Sequence, residues 1–133
     1  MGNLMSTIKA NDIQNASGGI PTVKGQRLIP TAWVNFNGRN TVAIRDSENV
    51  SSITDAGTGK FDINFTLAMG NTNYCVTGIG DVKSNIPKWE TSLSLDTING
   101  SVGLNAVRVV TAGDSNQLLD CDVTCVQILG GQA

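Results

Sequence analysis

The sequence predicts an all-β domain, a β-sandwich or jelly-roll-like fold, preceded by an extended N-terminal arm. Three observations carry this expectation. Period-2 alternation recurs in short runs, most cleanly where Phe61, Ile63, Phe65 and Leu67 oppose Lys60, Asp62, Asn64 and Thr66. Turn-forming clusters of Gly, Asn, Ser and Thr separate the runs, and Gly alone accounts for 15 of 133 residues. The β-branched content and the glycine spacing oppose a helix anywhere in the chain.

The length bounds the answer to one domain with an added tail. A domain of this size buries roughly two-thirds of its unfolded surface, enough for a core without covalent staples. Hydrophobic residues make up 40% and charged residues 15%, a balance unlike a disordered chain. Net charge is -2 with no basic run, which argues against nucleic acid as a partner. No apolar stretch approaches the roughly 20 residues that cross a bilayer, so membrane insertion is not expected. The first ten residues lack the apolar run of a secretory signal, and Met5 offers an alternative start to Met1.

Residues 1–30 read as the arm. They are polar, carry Ser17-Gly18-Gly19, Pro21 and Pro30, and hold too few apolar side chains for a core of their own. The knob domain spans 31–133. Its first strand is expected at 31–37, followed by Asn37-Gly38, a pair that readily takes the positive φ of tight hairpins. Strands follow at 41–45 and 48–54, then the turn Asp55-Ala56-Gly57-Thr58-Gly59, then the alternating strand 60–67. After a turn at Gly70-Asn71-Thr72-Asn73 come a strand at 74–79 and the polar loop 80–88. Strands are expected again at 89–95, 101–111 and 118–129, with Asn99-Gly100 as a second hairpin signal. In the last strand, Val126, Ile128 and Leu129 make the end apolar on both faces, as at a subunit contact. About eight strands at this spacing suit a sandwich, and no internal repeat is visible.

The three cysteines, Cys75, Cys121 and Cys125, do not make a closed disulfide framework. On one strand, Cys121 and Cys125 would lie about 13 Å apart, beyond the ~7 Å limit for a disulfide. They read as buried thiols acting as small apolar residues, in keeping with assembly in a reducing cytoplasm.

Catalytic chemistry is not expected. Histidine is absent, which removes the commonest general base and the Ser-His-Asp and Cys-His arrangements. No cofactor or metal site is apparent; three scattered cysteines do not hold zinc. Gly57-Thr58-Gly59-Lys60 ends like a phosphate loop, but Phe61 replaces the required hydroxyl residue and Thr54 the first glycine. Gly78-Ile79-Gly80 is followed by Asp81, not by a glycine opening a helix. Both clusters read as turns. The acids Asp81, Glu90, Asp96, Asp120 and Asp122 could in principle pair as in glycosidases, but Asp120 and Asp122 look like solvated carboxylates on a strand's polar face. Asn15, Asn49, Asn64 and Asn99 each open an N-x-S/T triplet, which matters only in a glycosylating pathway.

Two tryptophans bear on binding. Trp89 shares the face of Leu93 and Leu95, which favours the core; following the polar loop, it is also a candidate platform for a sugar. With Lys83, Asn85 and Lys88 it forms the candidate receptor-binding set. Trp33 lies opposite Ala32, Val34 and Phe36, where it could seal the arm or a subunit contact.

The block Ala32-Trp33-Val34-Asn35-Phe36-Asn37-Gly38, Val42-Ala43-Ile44-Arg45, Asn49-Val50-Ser51-Ser52-Ile53-Thr54-Asp55 and Gly57-Thr58-Gly59-Lys60-Phe61-Asp62-Ile63-Asn64-Phe65 resembles a C-terminal β module of bacteriophage tail-fibre and other virion fibre proteins, many of them from aquatic phages. The pattern continues at Asn73-Tyr74-Cys75-Val76-Thr77-Gly78 and ends in a strand like 123–130. Upstream, residues 6–13 and 16–19 resemble the short start of such proteins. The likeness spans most of the chain and is most specific over 32–65; residues 80–88 and 97–117 match only in general character, and the cysteines depart from the pattern.

The resemblance implies a homotrimeric virion structural protein, assembled in the host cytoplasm. Its arm would dock to other virion proteins. Its knob would engage a host surface receptor without covalent chemistry, a glycan being the natural candidate, as a short tail fibre or fibre tip. Many weak sites per particle would supply avidity. A head fibre, capsid decoration or cement protein is the alternative, favoured by the shortness of the chain. A depolymerase is the weakest reading.

Overall fold

The computed structural model describes residues 10, 13–14, 16–18, 22–23, 26–27, 30–81, 91–98, 102–113 and 117–131. They contain ten strands and no helix: β1 (Thr22–Val23), β2 (Gln26–Arg27), β3 (Ala32–Asn37), β4 (Ala43–Glu48), β5 (Val50–Asp55), β6 (Lys60–Phe65), β7 (Tyr74–Asp81), β8 (Ser92–Leu95), β9 (Ala106–Ala112) and β10 (Val123–Gly130). Strands β1 and β2 pair as a short antiparallel ribbon within the segment read as an arm. The other eight form two four-stranded antiparallel sheets, β4-β3-β10-β7 and β5-β6-β9-β8. The chain's last strand returns beside its first long one, so β3 and β10 form the middle of the first sheet.

Alternation decides what lies between the sheets. Ala32, Val34 and Phe36 of β3 and Val126 and Ile128 of β10 point inward from the first sheet. Phe61, Ile63 and Phe65 of β6 and Val107 and Val109 of β9 meet them from the second. The two layers interlock at Phe36 and Phe61, edge to face with ring centroids 5.1 Å apart. Aromatic pairs favour this geometry because the positive ring edge meets the negative face. The predicted alternation of 60–67 therefore holds through Phe65. The strand ends there, and Leu67 is left 72% exposed.

Single residues carry the chain between layers. The expected strands at 41–45 and 48–54 are instead β4 and β5, separated only by Asn49. Asn49 takes a positive φ of 54°. Its amide donates to the carbonyls of Thr31 and Leu67, both at 3.2 Å, and its Oδ1 accepts from the Leu67 N–H at 2.7 Å. Asparagine tolerates this backbone because its side chain bonds locally. At the start of β3, buried Thr31 donates its N–H to Ile128 O and its hydroxyl to Gly130 O, which ties β3 to the end of β10.

Two glycine readings change. The turn after β3 forms where expected, but the positive φ falls on Asn40 and not on Asn37 or Gly38. The Asn37 amide donates to the carbonyls of Arg39 and Thr41, bracing a longer loop. Gly38 is there for space: a Cβ would stand 2.6 Å from Phe61 Cζ and 3.2 Å from the Cys121 carbonyl. Similarly, Gly78-Ile79-Gly80 is no turn but the body of β7. A Cβ on Gly78 would meet the Cys125 carbonyl at 2.3 Å, and one on Gly80 the Cys121 Sγ at 2.7 Å. Glycine here allows neighbouring backbone to close in. The Gly57–Gly59 stretch is the hairpin expected, with φ of 114° and 65° at its two glycines.

The last strand starts later than expected, at Val123, so Asp120 and Asp122 lie in the preceding connection and not on a strand face. Its end is also less symmetric: Val126 and Ile128 are buried, whereas Leu129 is half-exposed.

Filling the Gly38 space should be costly. Gly38→Ala is expected to lower stability by about 1–3 kcal/mol, the range for overpacking a core. In a Phe61→Leu background the loss should shrink, because the blocking ring edge is gone. Urea unfolding of the two single variants and the double variant measures the coupling; equal losses in both backgrounds would contradict the contact.

Candidate functional site

The same alternation that fills the core aims the remaining side chains of the first sheet outward. Register arranges them in rows. Gln127 of β10 lies opposite Trp33 of β3 on one side and Thr77 of β7 on the other. Cys125 likewise lies between Asn35 and Ile79. Directly opposed residues on neighbouring strands sit about 5 Å apart, close enough for each row to form one surface. These six side chains, with the backbone of Val34, Gly78 and Val126 beneath, line an open groove of about 490 Å³. This volume is typical of small-ligand clefts.

The groove combines apolar area with neutral hydrogen-bonding groups. Trp33 is half-buried and Ile79 is 67% exposed. Asn35 and Gln127 bring amides and Thr77 a hydroxyl, each able to donate and accept. Strand β4 extends both rows with carboxylates: Glu48 pairs with Trp33 and Asp46 with Asn35. A register shift beside Asn35 makes Arg45 the extra residue of a bulge. Bulges re-aim side chains, and Arg45 uses this to donate to Asn35 Oδ1 at 3.2 Å and to the Asp122 carbonyl at 2.5 Å. The guanidinium thus sets which way the Asn35 amide faces, with its NH₂ as the remaining donor.

The candidate set named from sequence, Lys83, Asn85, Lys88 and Trp89, lies outside the described residues, as does Glu90. Trp33 is now placed: it faces away from the core at the head of the groove. Its signal was the alternation with Ala32, Val34 and Phe36. Thr77, Cys125 and Gln127 were not singled out for binding, because only strand register brings them to Trp33.

Among the described residues, four of the acids have partners that the fold itself supplies. Asp120 Oδ1 accepts from the Gly59 N–H at 2.7 Å, bracing the β5–β6 hairpin. Asp122 pairs with Arg39 at 3.3 Å. Asp62 receives a two-pronged bond from Arg108, Nε to Oδ1 and a terminal nitrogen to Oδ2 at 2.8 Å. Asp96 lies after β8 and accepts from the Ile98 N–H. Among the described residues no cluster of His, Cys, Asp or Glu suits a metal ion. Two N-x-S/T asparagines have their amides engaged by the fold: Asn49 as above, and Asn64, which donates to Ser52 and Thr54.

The cysteines divide by environment, which corrects the expectation that all are buried. Cys121 is buried, Cys125 half-buried in the groove and Cys75 exposed. Burial pushes the Cys121 thiol up, and the charges of Asp81, Asp120 and Asp122 push the same way, against a hydrogen bond with Thr111. Burial also raises Tyr74, whose hydroxyl donates to the Gly103 carbonyl at 2.9 Å and whose ring meets Phe65 edge-on.

No family model matches the chain, and no curated protein matches it. Among solved structures, the fold is similar to part of the phiAB6 phage tailspike. That protein was crystallised in complex with three-repeated oligosaccharides of Acinetobacter baumannii surface polysaccharide. The TM-score is 0.53 at 12% identity, and the match covers 96% of this chain and 30% of the tailspike chain. The chain therefore spans less than a third of that protein's length. The likeness is one of fold alone.

Cys121 and Tyr74 set an alkaline limit. Each acid is held protonated in the folded state, so its contribution is complete below its unfolded pKa and is lost as pH rises through the folded value. Stability should be level near neutrality and fall from about pH 8.5 upward, first through Cys121 and then through Tyr74. Urea midpoints between neutral pH and pH 10.5 measure this. Cys121→Ala should flatten the first part of the fall; an unchanged profile in that variant would contradict the assignment.

Proposed function

We propose that this chain is a virion fibre module that attaches a bacteriophage to a glycan on the host surface, non-covalently, through the outer face of the β4-β3-β10-β7 sheet. The observation that carries this reading is the fold likeness to a phage tailspike over nearly the whole chain. The oligosaccharide bound by that tailspike suggests the class of receptor. The Trp33 groove supplies what sugar recognition requires: an aromatic ring against the apolar face of a pyranose, and amides and a hydroxyl at hydrogen-bonding range of its hydroxyls. The proposal includes a homotrimer, with the arm of residues 1–30 docked to other virion proteins and the knob of 31–133 projecting outward. Repetition of weak sites in threefold symmetry and along the particle would convert low single-site affinity into firm adhesion. No catalytic step is part of it. Lys83, Asn85, Lys88 and Trp89 are the second proposed contact.

The test combines place and binding. Antibody labelling of intact particles should mark the tail tip or baseplate. Label spread over the head would replace attachment with capsid decoration, and unlabelled particles would overturn the virion assignment. Trp33→Ala should cut adsorption to host cells while leaving assembly and unfolding midpoint close to wild type. Trp89→Ala, assayed in parallel, should cut it further. Adsorption unchanged in both would remove these surfaces from the proposal.

A further inference from the structure

Resting on the attachment reading, we propose that the Trp33 groove selects an uncharged saccharide and discriminates against acidic ones. The argument is from charge placement. The six side chains lining the groove are Trp33, Asn35, Thr77, Ile79, Cys125 and Gln127, none of them a cation. An acidic sugar would bring a carboxylate onto this surface and shed part of its water. Neutral donors offset that loss in part, and a cation standing opposite offsets it most.

The flank makes it worse. Each row of the groove continues into β4 with an acid, Glu48 beside Trp33 and Asp46 beside Asn35. Two carboxylates in register on the neighbouring strand repel a third. Among the described residues at this edge, Arg45 donates to two neutral acceptors, Asn35 Oδ1 and the Asp122 carbonyl, so it keeps its charge, which Asp46 and Glu48 together outnumber. Arg39, also among the described cations, is paired with Asp122. The charge pattern therefore complements a neutral ligand and opposes an anionic one.

The polar chemistry points the same way. Amides and hydroxyls both donate and accept, as sugar hydroxyls do, so donor and acceptor needs can be met on both sides of the contact. Arg45 makes one of these groups directional. By holding Asn35 Oδ1 it leaves the amide NH₂ to donate, which suits a hydroxyl, ring or acetamido oxygen. Arg45 is thus a positioning residue for the ligand and not its counter-ion.

The experiment uses the full-length protein on a panel of bacterial-type oligosaccharides. Neutral members carry hexoses and N-acetylhexosamines; acidic members carry uronic or sialic acid. Neutral binding should change by less than about twofold when salt is raised, since no ion pair is there to screen. Acidic binding should be at least about tenfold weaker, a difference of about 1.4 kcal/mol. Asp46→Asn with Glu48→Gln should narrow that gap without altering neutral binding. Trp33→Ala, with Gln127→Ala at an exposed position as a second probe, should abolish neutral binding. Acidic glycans that bind equally well, and lose binding with Trp33→Ala, would overturn the charge inference and leave attachment standing. Neutral binding untouched by both variants would overturn the site. Failure of every glycan, with phage adsorption also indifferent to Trp33→Ala, would overturn the attachment reading itself.

Discussion

The antiparallel pairing of β3 with β10 is the constraint on which the rest of the molecule depends. It joins the first and last long strands of the chain, and Thr31 and Gly130 lock its end. One register sets two surfaces at once. With Val126 opposite Val34, the inner face is Ala32, Val34, Phe36, Val126 and Ile128, and the outer face is Trp33, Asn35, Cys125 and Gln127. A slip of one residue would exchange the faces, placing Trp33 and two amides in the core. Core stability and groove composition are therefore not independent properties of this protein.

The second layer is held to the first by few and specific devices. Phe61 closes on Phe36, and the ring fits only because Gly38 leaves its space empty. Asn49 turns the chain from one sheet to the other and binds both Thr31 and Leu67 while doing so. Gly78 and Gly80 let β7 lie tightly against β10 and the Cys121 region. This closeness brings Thr77 and Ile79 into the same surface as Trp33. The residues that shape the groove thus include several that do not line it.

The surface that results separates charge from contact area. The side chains that line the groove from β3, β10 and β7 are neutral, and the acids Asp46 and Glu48 stand on β4. The bulge at Arg45 is the exception that links the two, since it spends a cation on orienting an amide. A surface of this kind favours shape and hydroxyl matching over long-range attraction.

The sequence by itself determined the class of fold, the inward positions of β3 and β6, and the absence of histidine-based chemistry. These follow from local properties: side chains alternate along a strand, and composition needs no partner to be read. It misjudged features whose cause lies far away in the chain. Gly78 and Gly80 look like turn glycines, but they answer to Cys125 and Cys121, more than forty residues on. Gly38 follows an asparagine as in a hairpin, yet it answers to the Phe61 ring. The cysteines looked alike and were separated by burial. The groove was the least legible feature. Trp33 was recognisable as facing away from the core, but its neighbours Thr77, Cys125 and Gln127 come from strands that only tertiary pairing sets side by side. Alternation assigns each residue a face; which faces meet, and in what register, is decided by long-range hydrogen bonding and packing that no local pattern contains.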